Sequence, residues 1–129
     1  MHYSYNDIKS YLESIVETKG KDYIYTQRLR EGYSFPGCEY AWQGKPDCII
    51  GHLLVELGIS IDNLGEDKDF GSGIIQDYEY KLEAKYGITF DSKAMALMGG
   101  IQNDQDNGIS WGEAFSMNTR YIDRHGAQY

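Results

Sequence analysis

Cys48 and His52 stand four residues apart in PDCIIGHLLVELG, the spacing at which two side chains share one face of a helix. Pro46 suits a first helical turn, which places Cys48 where free amides and the helix dipole lower a thiol pKa. Helical side chains lean toward the N-terminus, so the His52 ring can reach back to Cys48 as a base, with Asp47 or Glu39 orienting the imidazole. The same residues, joined by Cys38, offer three of the four ligands of a zinc site, and only His2, His125 or a carboxylate could supply the fourth. Both chemistries meet an obstacle. Catalytic pairs normally join distant segments, and no oxyanion-hole or substrate-loop signature accompanies this one. The plainer reading makes Cys48 a small core residue and His52 a partly buried, hydrogen-bonded one. Gly51 favours it, because a mid-helix glycine costs ~1 kcal/mol and usually marks the close approach of another element. Trp42 is the candidate neighbour. The expectation is therefore no catalytic residue and no bound metal or other cofactor, with Cys48 and His52 as the catalytic candidates and Cys38, Cys48 and His52 as the metal candidates to be examined.

Two further motifs fail on spacing. NDQDNGIS has the flavour of a calcium loop, but with Gly108 as the loop glycine the ligand positions fall on Asn103, Gln105 and Asn107, and the closing acid is Ala114. DFGSG could offer backbone amides to a phosphate but lacks a lysine and a preceding strand. A linker capped by Ser72 is the preferred reading.

The elements that would position these residues read as helices. Ile8, Tyr11, Leu12, Ile15 and Val16 form an amphipathic stripe over about 6–19, closed by Gly20. A second helix runs from Pro46 to Gly58, a third from a Ser72 cap to Gly87, a fourth from an Asp91 cap to Gly108. The fifth opens with Ser110-x-x-Glu113, a capping box. The phrases GISI, GITF and GISW begin at Gly58, Gly87 and Gly108, so each marks a corner where glycine closes a helix and isoleucine packs back on it. Spacings of 29 and 21 residues are unequal, which excludes a solenoid repeat. Between the first two helices, Tyr23, Tyr25 and Gln27 alternate, as do Cys38, Tyr40 and Trp42. This pattern predicts a small hairpin near 22–43, with an aromatic loop as the alternative. The fold expected is mainly α, about five helices in a single compact domain over 1–129.

The chain has the size of one domain, and no run approaches the ~20 apolar residues of a membrane span. Nor does MHYSYNDIKSYLE have the order of a signal peptide. A soluble, cytoplasmic protein is expected, whose two cysteines a reducing cytosol would keep as thiols. A net charge of −8 argues against duplex nucleic acid, which needs a basic surface. Glu66, Asp67, Asp69, Asp77, Glu79 and Glu83 outnumber Lys68 and Lys81, making either a solvated face or an acidic surface that enters a basic site on another protein.

Cys38, Tyr40, Pro46, Cys48, Ile49, Gly51, His52, Leu57 and Gly58, followed by Gln105, Gly108, Trp111, Gly112 and Ala114, form a pattern of their own. Over about 38–115 the chain resembles small proteins encoded by bacteriophages and prophages, many from actinobacterial hosts. The resemblance implies no named activity. Together with small size, acidity and 12 tyrosines, it points to a non-enzymatic accessory protein that binds and inhibits a host or defence-system protein in the cytoplasm of a bacterial host. The binding residues expected are Tyr23, Tyr25, Tyr40, Trp42, Asp77, Glu79 and Glu83, with no membrane partner and a homodimer left open. The alternative is a protein that sequesters a small molecule or nucleotide, or a Cys-His hydrolase, with its pocket near Cys48 and His52.

Overall fold

Ser4 starts the first helix: its hydroxyl accepts from the Asp7 amide at 3.2 Å while the Asp7 carboxylate accepts from the Ser4 amide at 2.9 Å, a reciprocal capping box. In the computed structural model, which describes residues 1–26, 39–65, 68–71 and 73–127, this helix, α1, spans Tyr5–Lys19 and buries Ile8, Leu12, Ile15 and Val16. Just before it, β1 (His2–Tyr3) pairs in parallel with β4 (Thr89–Phe90), and the Tyr3 and Phe90 rings stack 6.0 Å apart. The remaining helices are α2 (Ile49–Glu56), α3 (Glu79–Tyr86), α4 (Ser92–Asp106) and α5 (Trp111–His125). Single 3-10 turns occupy Ile61–Asn63 and Ile75–Tyr78.

The fold is mainly α, with five helices among the described residues in one compact domain. Helix α4 is its centre, buried on nearly every side along Ala94–Met98 and packed against α1, α2 and α5. Asp91 caps it by accepting from the Ala94 amide, as its place before the apolar run predicts. Ser110 caps α5 through the Glu113 amide.

The recurrent glycine phrases have one structural meaning. At Gly58 the amides of Gly58 and Ile59 donate to Val55 and Leu54, and at Gly108 those of Gly108 and Ile109 donate to Gln105 and Asp104. Both are Schellman ends, with glycine at φ +98° and +87°. Ile59 and Ile88 are buried and Ile109 packs on the core, so each corner folds its isoleucine inward.

Two expectations move. The second helix begins at Ile49 and not at Pro46, because Pro46 belongs to a hairpin in which β2 (Ala41–Trp42) pairs antiparallel with β3 (Lys45–Pro46). Gln43 and Gly44 form its two-residue turn, both at positive φ, the geometry that matches strand twist. The sheet thus lies at 41–46, and 23–26 form no strand. The third helix divides into the 3-10 turn at Ile75–Tyr78, whose first amide donates to the Gln102 side chain, and α3. Gln27, Cys38, Glu66, Asp67 and the expected Ser72 cap lie outside the described residues.

Candidate functional site

Gln105 joins the residues that the sequence pattern sets apart. It lies in the last turn of α4, fully buried, and its Oε1 accepts from the Ile49 amide at 2.8 Å and from Trp111 Nε1 at 3.1 Å. One side chain therefore ties the start of α2 to the start of α5. Helix α2 needs this acceptor, because Cys48 stands at its N-cap and supplies no side-chain cap. Gln102, one turn earlier and also fully buried, accepts from the Ile75 amide at 2.8 Å and donates to the Gly73 carbonyl at 2.6 Å. Two glutamines on an apolar helix thus anchor both the hairpin-to-α2 junction and the loop before α3.

His52 sits edge-on to the fully buried Trp111, ring centroids 5.5 Å apart, and Tyr23 meets the same indole at 4.6 Å. The Trp111 and Gly112 amides donate to the Tyr23 and Lys21 carbonyls, and a Cβ at Gly112 would collide with Lys21. Gly51 faces the backbone of Tyr40: a Cβ there would overlap the Tyr40 carbonyl. The close approach expected at Gly51 is real, but the neighbour is Tyr40 and not Trp42. Gln105, Trp111 and His52 meet in one node, beside which Gly51 and Gly112 let neighbouring backbone approach closely.

Cys48 is fully buried and disulfide-bonded. This corrects the expectation of a thiol. The only other cysteine, Cys38, lies outside the described residues. A sulfur held in a disulfide is neither a nucleophilic thiolate nor a zinc ligand, and Cys48 lies before the first turn of α2, where it accepts no share of the helix side-chain face. Among the described residues no cluster of three or more His, Cys, Asp and Glu side chains could hold a metal ion. The hollow beside His52, lined by Ser14, Ile15, Thr18, Lys19 and Glu56, holds about 100 Å³. Pockets for organic ligands begin at roughly 300 Å³. A nucleotide does not fit it.

The His52 imidazole is partly buried as expected, but among the described residues its enclosed Nε2 lacks the hydrogen-bond partner expected. Burial, followed by the Lys19 charge, holds its pKa below the ordinary 6.5, with Asp47 opposing. A lowered folded-state pKa means that the unfolded chain binds the proton more readily. The stability that the neutral ring contributes is complete above the unfolded value and is lost as pH falls through the folded one. Denaturant unfolding should therefore show stability falling as pH drops below about 6.5, and His52→Gln should flatten that part of the profile. An unchanged profile in the variant would place the titration elsewhere.

The aromatic binding residues expected from sequence separate into two groups. Tyr25 and Tyr40 are core, 3% and 0% exposed, and cannot present a ring to a partner. Their hydroxyls have internal uses: Tyr25 donates to Asp47 at 2.8 Å and accepts from the Glu39 amide at 3.1 Å, and Tyr40 donates to the Gly73 carbonyl at 2.9 Å. Tyr23 is half-buried against Trp111. Trp42, at the hairpin tip, remains 43% exposed.

The acidic residues of the 3-10 turn and α3 are outside the core. Asp77, Glu79 and Glu83 are exposed, and between them stands Tyr80, 83% exposed, which sequence reasoning missed. Asp77 and Glu83 lie three residues before and after it, so one helical face carries a phenol flanked by carboxylates. The lysines of the same helix point away. Lys81 Nζ donates to the Asp69 carbonyl at 2.9 Å and lies over the Phe70 and Tyr78 rings, and Lys85 Nζ bonds the Asp69 carboxylate at 2.6 Å. Lys85, and then the Tyr86 hydroxyl, hold the Asp69 carboxyl below its usual pKa. The signal that could have found Tyr80 is its place opposite buried Leu82 on the α3 wheel.

No family model matches the chain, and neither a curated protein nor a solved structure matches it.

Proposed function

We propose that the protein is a non-enzymatic binder whose α3 ridge enters a basic site on another protein. The observation that carries this reading is the isolation of Tyr80 between Asp77 and Glu83, with Glu79 alongside and the helix lysines withdrawn onto Asp69 and Phe70. A tyrosine supplies contact area and a polar tip at low entropic cost, and the carboxylates steer it to a cationic surface. Exposed Ile74, at the entrance to the same segment, extends the apolar contact. The resemblance to phage and prophage proteins supports a partner in the bacterial host, a host or defence protein inhibited on binding. No helix of the described residues is long and apolar enough to cross a membrane. The disulfide at Cys48 favours an oxidising compartment over the reducing cytoplasm expected from the sequence.

The test is capture from host lysate by the wild type and by Tyr80→Ala/Glu83→Lys, both checked for folding by circular dichroism. The changed residues are exposed, so the fold should survive. The reading expects the captured protein to fall at least about tenfold, since aromatic anchors dominate binding energy. Equal capture by the folded variant would remove α3 as the binding surface.

A further inference from the structure

Glu113, Met117, Arg120 and Arg124 lie along α5 at successive intervals of four, three and four residues, and all four are exposed. Trp111, Ala114, Thr119 and Ile122 are buried, so this stripe points directly away from the core. Alternating intervals of four and three are the seam spacing along which two helices pack side by side. Met117 is 40% exposed and Tyr121, beside it, 51%. A shallow groove of about 260 Å³ runs along the same face between Met117, Arg120, Tyr121, Arg124 and His125.

Among the described residues the charges on the stripe form no ion pair. Asp123, the nearest carboxylate in sequence, is engaged by the Tyr5 hydroxyl at 2.9 Å and by Lys9 at 3.5 Å. Arg120 donates Nε to the Ser116 carbonyl, and among the described residues neither arginine nor Glu113 enters an ion pair. Cations near a helix C-terminus are favourable by themselves, which explains arginine at this end. It does not explain an exposed methionine and tyrosine between them.

We propose that the stripe is where a second copy of the chain docks, with the two α5 helices antiparallel about a two-fold axis. Antiparallel packing sets each seam position against the complementary one of the other helix. In that register Glu113 faces the partner's Arg124, Met117 faces the partner's Arg120, and Tyr121 flanks the partner's Ser116. The two-fold repeats each contact. The acidic first turn of α5 meets the basic last turn, and the Met117 side chains lie near the axis with the arginine stems covering them. Elsewhere a net charge of −8 makes two copies repel, so the stripe is the complementary part of an otherwise repelling surface. One helix face is smaller than the roughly 1,600 Å² of a standard interface, which makes the dimer weak and concentration-dependent.

Sedimentation equilibrium of the intact protein at low ionic strength, across a concentration series, tests this. The mass should rise from 14.7 kDa toward twice that value. Arg124→Glu should weaken association at least about tenfold, because each of the two contacts becomes repulsive. Glu113→Arg/Arg124→Glu should restore it. All these positions are exposed, and far-ultraviolet circular dichroism confirms the fold of each variant. A monomer at every concentration overturns the proposal, including the case in which the stripe serves an acidic partner protein. A dimer indifferent to Arg124→Glu and to Met117→Glu overturns it equally.

Discussion

Gly51→Ala is expected to destabilise the protein by about 2 kcal/mol or more, a loss on the order of 10 °C in thermal midpoint. Two effects oppose each other at this position. In a helix interior, replacing glycine by alanine stabilises by ~1 kcal/mol, an upper bound here because Gly51 is only the third residue of α2. Against that, the new methyl would overlap the Tyr40 backbone carbonyl, which is not a flexible side-chain end that can swing aside. The Tyr40 carbonyl also accepts from the Asp47 amide at 3.1 Å, so moving it strains the hairpin that leads into α2. Overpacking against fixed backbone costs about 1–3 kcal/mol, occasionally more, and here there is no slack to relieve it. The clash wins. A thermal melt of the variant at or above the wild-type midpoint would show that α2 and the Tyr40 backbone are not in contact.

Gln105→Leu carries the second large effect. Leucine fills a similar volume, but it leaves the Ile49 amide and the Trp111 indole N–H without their acceptor in a region with no exposure. Each buried unsatisfied donor costs about 1–3 kcal/mol, so a loss of about 2–5 kcal/mol is expected from denaturant unfolding. The interaction can be isolated by a double-mutant cycle. Once Trp111→Phe has removed one donor, Gln105→Leu should cost measurably less than in the wild type. Strict additivity would mean that the two side chains do not interact.

Much of this fold is legible because helix ends are chemically conspicuous. Ser4, Asp91 and Ser110 cap helices, and Gly20, Gly58, Gly87 and Gly108 all take positive φ where a helix closes. Pro46 misled for a physical reason. A proline fixes φ and lacks a donor, which suits the first turn of a helix and the end of an edge strand alike, and Gln43-Gly44 decided for the strand. The parallel pair of His2–Tyr3 with Thr89–Phe90 is too short to leave a period-two signal.

The node around Gln105 was half legible. Gly51 announced a close approach, but to the Tyr40 backbone and not to the Trp42 expected. Cys48 and His52 invited a chemical reading because their types are reactive, yet burial and the disulfide assign Cys48 to the architecture. Gln102 and Gln105 were the informative residues, two polar side chains three apart among Leu97, Met98 and Ile101 on the buried side of α4. A buried glutamine must find partners, so its presence there signals a junction that backbone hydrogen bonds alone leave incomplete. The ridge on α3 was visible as charge. The outward Tyr80 was passed over for Tyr25 and Tyr40, which turn out to belong to the core.

Gln105 makes the Cys48, His52 and Trp111 region a junction holding α2, α4 and α5 together. Hydrogen exchange at the Ile49 amide and the Trp111 indole N–H, followed by NMR, tests it most directly. Both protons donate to the same buried oxygen. The account predicts that both exchange only with global unfolding, at one shared free energy, and that Gln105→Leu lowers the protection of both together. Exchange of either proton at the rate of an exposed group, or loss of one without the other in the variant, would contradict it.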